Sequence, residues 1–217
     1  SSASFRIEGA CASGGLAVHL AIQGILAGTY KNVLVVGAEK MTDAPAGQIT
    51  WALMGASSSQ ERKAGLTFPA LYALIAEAHM QKYGTTRKQL AEVSVKNHYH
   101  ASLNKKAQYP FEITVEKVLQ SGLVSSPISL LDCSPITDGA AAVILSADDS
   151  SKGVFITGSA VACDTIDLAQ RESLTELKAT KLAATVAFKQ AGLGIEDIKI
   201  AEVHDCFTIG EILAMED

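Results

Sequence analysis

Apolar and polar positions along the chain follow two rhythms, and these predict a succession of strands and helices. Phe5-Arg6-Ile7-Glu8 alternates with a period of two and predicts a short strand. From Cys11 to Gly28 the chain is apolar around most of its circumference, through Leu16, Ala17, Leu20, Ala21, Ile25 and Leu26. A helix apolar all round is expected to be buried, and Gly28 supplies its stop. Residues 32–38 (NVLVVGA) form a continuous apolar run, as expected of a strand covered on both faces. Residues 5–38 therefore read strand, helix, strand, the grammar of a parallel sheet.

Residues 39–65 carry Gly, Ser, Pro and charges without a period, which predicts a loop or small excursion. Residues 66–83 predict a second apolar helix, stopped by Gly84, and Thr85 or Thr86 can cap an amphipathic helix over 87–103. Residues 104–128 look irregular, with a short strand near 113–118. Further strands are predicted at 128–133, 140–146, 154–163 and 199–204. Ser173-x-x-Glu176 has the form of a capping box for a helix over 175–191 that ends at Gly192, and Thr208-x-x-Glu211 has the same form. The order strand, helix, strand at 154–204 echoes residues 5–38.

Composition narrows the class. The 217 residues suffice for one large domain or two small ones. With 48% hydrophobic and 19% charged residues, the chain is poorer in charge than the roughly 25% usual for soluble domains. That fits strands buried on both faces and surface covered by a partner subunit. The net charge of −5 comes without a dense basic stripe, so no nucleic-acid partner is expected. No signal peptide and no apolar run of membrane-spanning length is visible, so no membrane partner and a cytoplasmic location are expected. The cysteines at 11, 133, 163 and 206 form no C-x-x-C pair, which argues against a disulfide framework and against zinc. His98 and His100 are two apart on a predicted helix and point to different sides, so no metal site is expected.

Three segments can carry chemistry. Cys11 stands at a strand-to-helix junction among Ala10, Ala12, Ser13, Gly14 and Gly15. Unpaired N–H groups and the dipole at a helix start lower a thiol's pKa, and small neighbours let a carbonyl approach. A cysteine in that place also reads as an inert packing residue. His204, in His204-Asp205-Cys206-Phe207, follows a predicted strand and can donate to a reacting oxygen or hold a water; it equally reads as a satisfied core histidine. Ser134 opens a turn of small residues through Asp138 and Gly139, which reads as a structural turn or as a ligand contact.

Four of these stretches together resemble the thiolase family. Glu8-Gly9-Ala10-Cys11-Ala12-Ser13-Gly14-Gly15 resembles its nucleophile motif, and Gly37-Ala38-Glu39-Lys40-Met41 the strand end that follows. Asp138-Gly139-Ala140-Ala141-Ala142 is similar to the family's D-G-A-A-A turn. His204-Asp205-Cys206-Phe207 resembles the H-D-C-F motif of the sterol-carrier-protein-2 type, where most other thiolases carry N-E-A-F. Each motif alone is weak; their shared order and spacing are specific. The resemblance implies an α/β thiolase fold, layered α-β-α-β-α with two similar halves, here incomplete. Residues 1–45 and 129–150 would belong to the N-terminal half, 46–128 to a loop excursion holding coenzyme A, and 151–217 to the first part of the C-terminal half. It implies a ping-pong acyltransferase that cleaves 3-ketoacyl-CoA with CoA or condenses two acyl-CoA molecules. Cys11 would be the nucleophile, His204 would hold a water in an oxyanion hole, and Ser134 and Phe207 would bind substrate. Coenzyme A would be a substrate and no cofactor is expected; the assembly would be a homodimer or a dimer of dimers.

The family's G-H-P and C-x-G motifs, which supply the groups that activate the cysteine, do not occur in these residues. The chain is therefore expected to be a fragment or part of a longer protein, with little or no turnover by itself. Alternative readings are a ketoacyl synthase or 3-hydroxy-3-methylglutaryl-CoA synthase relative, against which H-D-C-F argues, and a non-catalytic thiolase-like acyl-CoA-binding or scaffold protein.

Overall fold

The computed structural model describes residues 3–148 and 153–217. In chain order the elements are α1 (Ser13–Leu26), β1 (Asn32–Glu39), α2 (Ala46–Leu53), α3 (Ser59–Lys63), α4 (Phe68–Tyr83), α5 (Arg87–Ser102), α6 (Val115–Gln120), β2 (Leu123–Ser125), β3 (Ile128–Ser129), β4 (Gly139–Ser146), α7 (Lys178–Ala191) and α8 (Thr208–Glu216). The chain forms two compact units, one of Ser1–Asp43, Thr137–Cys163 and Leu182–Ile198, the other of Ala44–Ile136, Asp164–Lys181 and Lys199–Asp217.

In the first unit β1 pairs with β4 from Asn32↔Ser146 to Glu39↔Gly139, and α1 packs on both strands. This pairing is antiparallel, and the parallel pairing expected of residues 5–8 with 32–38 does not form, because 5–8 is not a strand. Val35 is the buried residue of β1, while Leu34 is 63% and, on β4, Ile144 is 70% exposed. The all-round apolar α1 likewise buries only Ala21 and leaves Leu26 76% exposed, so the expectation of a fully buried helix is not met.

Residues 154–163 form no strand, and neither do 5–8 or 199–204. A strand exists only where a second backbone offers a ladder, and these segments meet none among the described residues. Residues 154–163 are tied to helices instead. Ser159 N–H donates to Gln190 Oε1 of α7 at 2.8 Å, and the Ser159 hydroxyl lies 3.0 Å from His19 Nδ1 of α1. Gly158 makes the approach to α7 feasible, since a Cβ there would stand 2.3 Å from the Ala187 carbonyl.

The second unit holds a conventional core. Ala73, Ile75 and Ala76 of α4 meet Leu90 of α5, Ile128, and Phe207, Ile209 and Leu213 at α8. A satellite cluster joins Ala91, Ile113 and Val118. Helix starts follow their local chemistry: the Thr86 hydroxyl accepts the Gln89 N–H while Gln89 Oε1 accepts that of Thr86, a reciprocal cap for α5. Gly84 ends α4 at φ 73°, as its position predicted.

Several expectations fail here for identifiable reasons. The 39–65 excursion is not a plain loop but contains α2 and α3. The Ser58–Glu61 capping box starts α3. The strand expected near 113–118 is the helix α6, capped by the Thr114 hydroxyl on the Lys117 N–H. The strand at 128–133 shortens to β3 and then a 3-10 turn. Neither predicted capping box forms. Ser173 Oγ accepts from Thr175 N–H and α7 begins only at Lys178; Thr208 Oγ1 donates to Asp132. Glu211 turns to α5 instead of back to its own helix start.

Candidate active site

Cys11 lies within a 3-10 turn, Ala10–Ala12, that feeds directly into α1, and the residue is exposed. Ala10, immediately before it, has φ +50°, a left-handed conformation that costs an L-residue about 1–2 kcal/mol. The neighbouring polar groups hold that turn. Glu8 Oε1 accepts the Ala10 N–H at 2.8 Å and lies 3.2 Å from Ser13 Oγ. Ser13 Oγ accepts the Gly9 N–H at 2.9 Å and reaches the Ala10 carbonyl at 2.7 Å. The Ala10 N–H first, and the Ser13 hydroxyl next, hold the Glu8 carboxyl below its ordinary pKa. The Ala12 N–H donates to the Gly9 carbonyl at 3.0 Å. The amides of Gly9, Ala10 and Ala12 are thus engaged within the turn. Around Gly14 and Gly15 space is open to at least 4 Å from an added Cβ.

The strand-end and D-G-A-A-A stretches meet in the same unit. Asp138, just before β4, accepts from Lys40 Nζ at 2.7 Å, from the Thr42 hydroxyl at 2.6 Å, and from the backbone N–H groups of Met41 at 2.8 Å and Thr42 at 3.0 Å. The Lys40 ammonium and then the Thr42 hydroxyl and amide hold its carboxyl far below the ordinary range. Asp138 therefore closes the end of the β1–β4 ladder.

In the second unit, Ser134 and the His204–Phe207 segment come together. The Ser134 N–H donates to the Cys206 carbonyl at 2.9 Å, and Cys133 and Phe207 form an antiparallel bridge. Phe207 is 7% exposed and stacks on Tyr72 with ring centroids 4.5 Å apart. His204 is exposed. Asp205 Oδ2 accepts from Asn97 Nδ2 at 2.7 Å, and the same amide donates to Glu211 Oε2 at 2.8 Å. Glu211 is only 3% exposed and its charge is matched by Lys96 Nζ at 2.8 Å. Beside this network lies a cleft of about 250 Å³ lined by Asn97, His98, Tyr109, Ser134, Asp205 and Thr208 among others. Burial raises the pKa of the Asp132 carboxyl in its wall, against the hydrogen bonds from the Ser129 N–H and the Thr208 hydroxyl. Burial also pushes the Cys133 thiol up to about 12. His98, on the cleft, meets the Phe111 carbonyl through Nδ1 at 3.0 Å. His100 is exposed on another side of α5, as its spacing predicted.

Residues 1–149 match the thiolase N-terminal domain family and residues 160–217 the thiolase C-terminal domain-like family. The chain belongs to the thiolase family. It is 50% identical to an acetyl-CoA acetyltransferase of Methanothermobacter thermautotrophicus over 99% of its own length and 57% of that protein. It is 30% identical to sterol carrier protein 2 of Gallus gallus over 97% of this chain and 42% of that one. The solved Ltp2-ChsH2(DUF35) aldolase superposes on 94% of this chain and 56% of its own with a TM-score of 0.77 at 26% identity. The fold is thus the α/β thiolase fold, and the chain spans about half the length of the curated relatives it matches.

Cys11 belongs to the first unit, and Ser134, His204 and Phe207 to the second. Sequence reasoning missed Glu8, Ser13 and Asn97 as structural supports of these segments. The first two had a local signal, a carboxylate and a hydroxyl within five residues across a small-residue turn. Asn97 had none, since its partners lie more than a hundred positions away. No group of three or more His, Cys, Asp or Glu among the described residues could hold a metal ion, and no described helix is long and apolar enough to cross a membrane.

Proposed function

We propose that this chain contributes the nucleophile of a thiolase-type acyltransferase, with Cys11 accepting the acyl group. The observation that carries the reading is the exposed residue Cys11, set immediately after a left-handed residue and leading into α1, within a chain of this family. A sulfur there is accessible to a thioester, and the positive end of a helix favours its thiolate. In the cleavage direction the thiolate attacks C3 of a 3-ketoacyl-CoA. The C2–C3 bond breaks, the acyl group stays on sulfur, and the acetyl-CoA carbanion leaves and takes a proton. Attack by the thiolate of a second CoA molecule on the acyl-cysteine completes the exchange.

His204 has the oxyanion role in this reading, holding a water toward the thioester oxygen. Ser134, which lines the cleft of the second unit, contacts substrate in the same reading. Phe207, stacked on Tyr72, supports substrate binding by fixing the backbone that carries His204. Coenzyme A is a substrate, no further cofactor is invoked, and the assembly is a homodimer or dimer of dimers in a cytoplasmic setting.

The test is acyl transfer to sulfur. Incubated with acetoacetyl-CoA at the full length of its relatives and mapped by mass spectrometry, the protein should carry acetyl on Cys11, and Cys11→Ala should carry none. Acetyl spread evenly over all four cysteines, or missing from Cys11, sinks the reading.

A further inference from the structure

We infer that Glu8 and Ser13 are positioning residues for Cys11: together they form a clamp that holds Ala10 in its left-handed conformation and so presents the thiol. The inference rests on Cys11 being the reactive thiol, as proposed above, but its own content is separate.

An alanine with φ +50° returns to the ordinary region unless its surroundings over-determine it. The surroundings here are specific. Three backbone groups at this turn are held by one of two side chains or by the turn itself: the Ala10 N–H by Glu8, the Gly9 N–H by Ser13, and the Ala10 carbonyl by the Ser13 N–H and hydroxyl. The two side chains are also joined to each other, at 3.2 Å. Ser13 has one hydroxyl proton and two acceptors within reach, so that proton is shared between the Ala10 carbonyl and Glu8. Ser13 is moreover the first residue of α1, and Glu8 precedes the turn. The clamp therefore spans Cys11 from both sides and ties it to the helix start.

The roles of charge and geometry can be separated. A glutamine at position 8 keeps an oxygen acceptor for the Ala10 amide and loses the charge. A threonine at position 13 keeps the hydroxyl. Alanine at either position removes the clamp. The carboxylate itself disfavours a nearby thiolate, so a purely electrostatic role predicts faster reaction for Glu8→Ala, and a positioning role predicts slower reaction.

The experiment is alkylation of Cys11 in the 217-residue protein by iodoacetamide across pH 6–10, read by peptide mass spectrometry. Ser13→Ala and Glu8→Ala should each slow labelling at neutral pH about tenfold, the effect of losing a hydrogen bond to a charged group. They should raise the midpoint of the pH profile, and the double variant should be no slower than either single one. Ser13→Thr and Glu8→Gln should stay within about twofold of wild type, well inside the loss expected on removing the hydrogen bond. Ala10→Gly, which accepts a left-handed φ without strain, should shrink the cost of Ser13→Ala to less than about threefold. That pair also keeps the test decisive where Ser13→Ala alone folds poorly. Unchanged rates and midpoints in the alanine variants, or an undiminished Ser13→Ala cost on the Ala10→Gly background, overturn the clamp. Acetylation by acetoacetyl-CoA, run at the full length of the relatives, reports separately: its absence from wild-type Cys11 removes the thiolase reading while leaving the alkylation pattern to judge the clamp.

Discussion

The two units achieve order by different means. In the second, order comes from volume: Ile128, Ile209 and Leu213 are wholly buried, and the polar groups among them, such as Glu211 and Asp132, have partners. In the first, apolar side chains such as Leu34 and Ile144 stand largely in the open, and order comes from hydrogen-bonded junctions, the Asp138 hub at one strand end and the Glu8–Ser13 clamp before α1. A thin sheet fastened at points can leave a thiol accessible, whereas a filled core closes over one. The nucleophile candidate lies in the former and the bridge that supports Ser134 and the His204 segment in the latter.

The cysteines give the sharpest test of this contrast. Cys133, desolvated with its thiol pushed up to about 12, should hold about a thousandfold less thiolate at pH 8 than an unshifted thiol. Time-resolved alkylation should therefore mark the exposed Cys11 long before Cys133. Equal rates would mean that the second unit opens on the timescale of labelling, and the contrast would break.

Truncation of apolar side chains comes next. Ile209→Ala, at a site with no exposure, should destabilise the second unit by about 2–5 kcal/mol in urea unfolding. Leu34→Ala, on the open face of β1, should change stability by about 0.5 kcal/mol or less. Similar losses at the two sites would show that the sheet face is covered in solution.

The smallest expected effect depends on pH. The native Asp138 carboxyl titrates far below its ordinary value, so its contribution is complete above that value and fades as pH falls through the acid range toward the native one. Amide exchange in β1 should be slower in wild type than in Asp138→Ala at neutral pH, and the two should converge in acid. A difference that stays constant down to pH 2 would remove the hub from the account of the first unit.

How much of this was legible follows from how local each signal is. The bounds of α4 and α5 are written within a few residues, by Gly84 and by the Thr86–Gln89 pair. The apolar runs of β1 and β4 were equally plain, but nothing in either run names its partner, so their antiparallel pairing was not legible. Residues 154–163 and 199–204 look like strands because their side chains suit one, yet a strand is a relation between two backbones. The α6 segment was misread from Ile113, Val115 and Val118, although Thr114 capping at Lys117 and the three-residue spacing of the two valines already specify a helix. The positions of Cys11 and of the H-D-C-F motif were visible from short motifs. The groups that fasten them were visible only in part. The Glu8–Ser13 clamp lies within one turn of chain, while Asn97 reaches Asp205 and Glu211 only after folding.

The pairing of β1 with β4 has a consequence for biosynthesis. β1 is translated before all of residues 44–136, and its partner strand only after them. At ordinary elongation rates of about 5–20 residues per second, β1 waits several seconds for its ladder. During that wait the backbone edge of β1 that β4 will take has no β4 to pair with, and such an edge is the kind that pairs with other chains. The second unit waits longer still, because its core takes Phe207, Ile209 and Leu213 from residues 199–217, so neither unit can close before most of the other has been made.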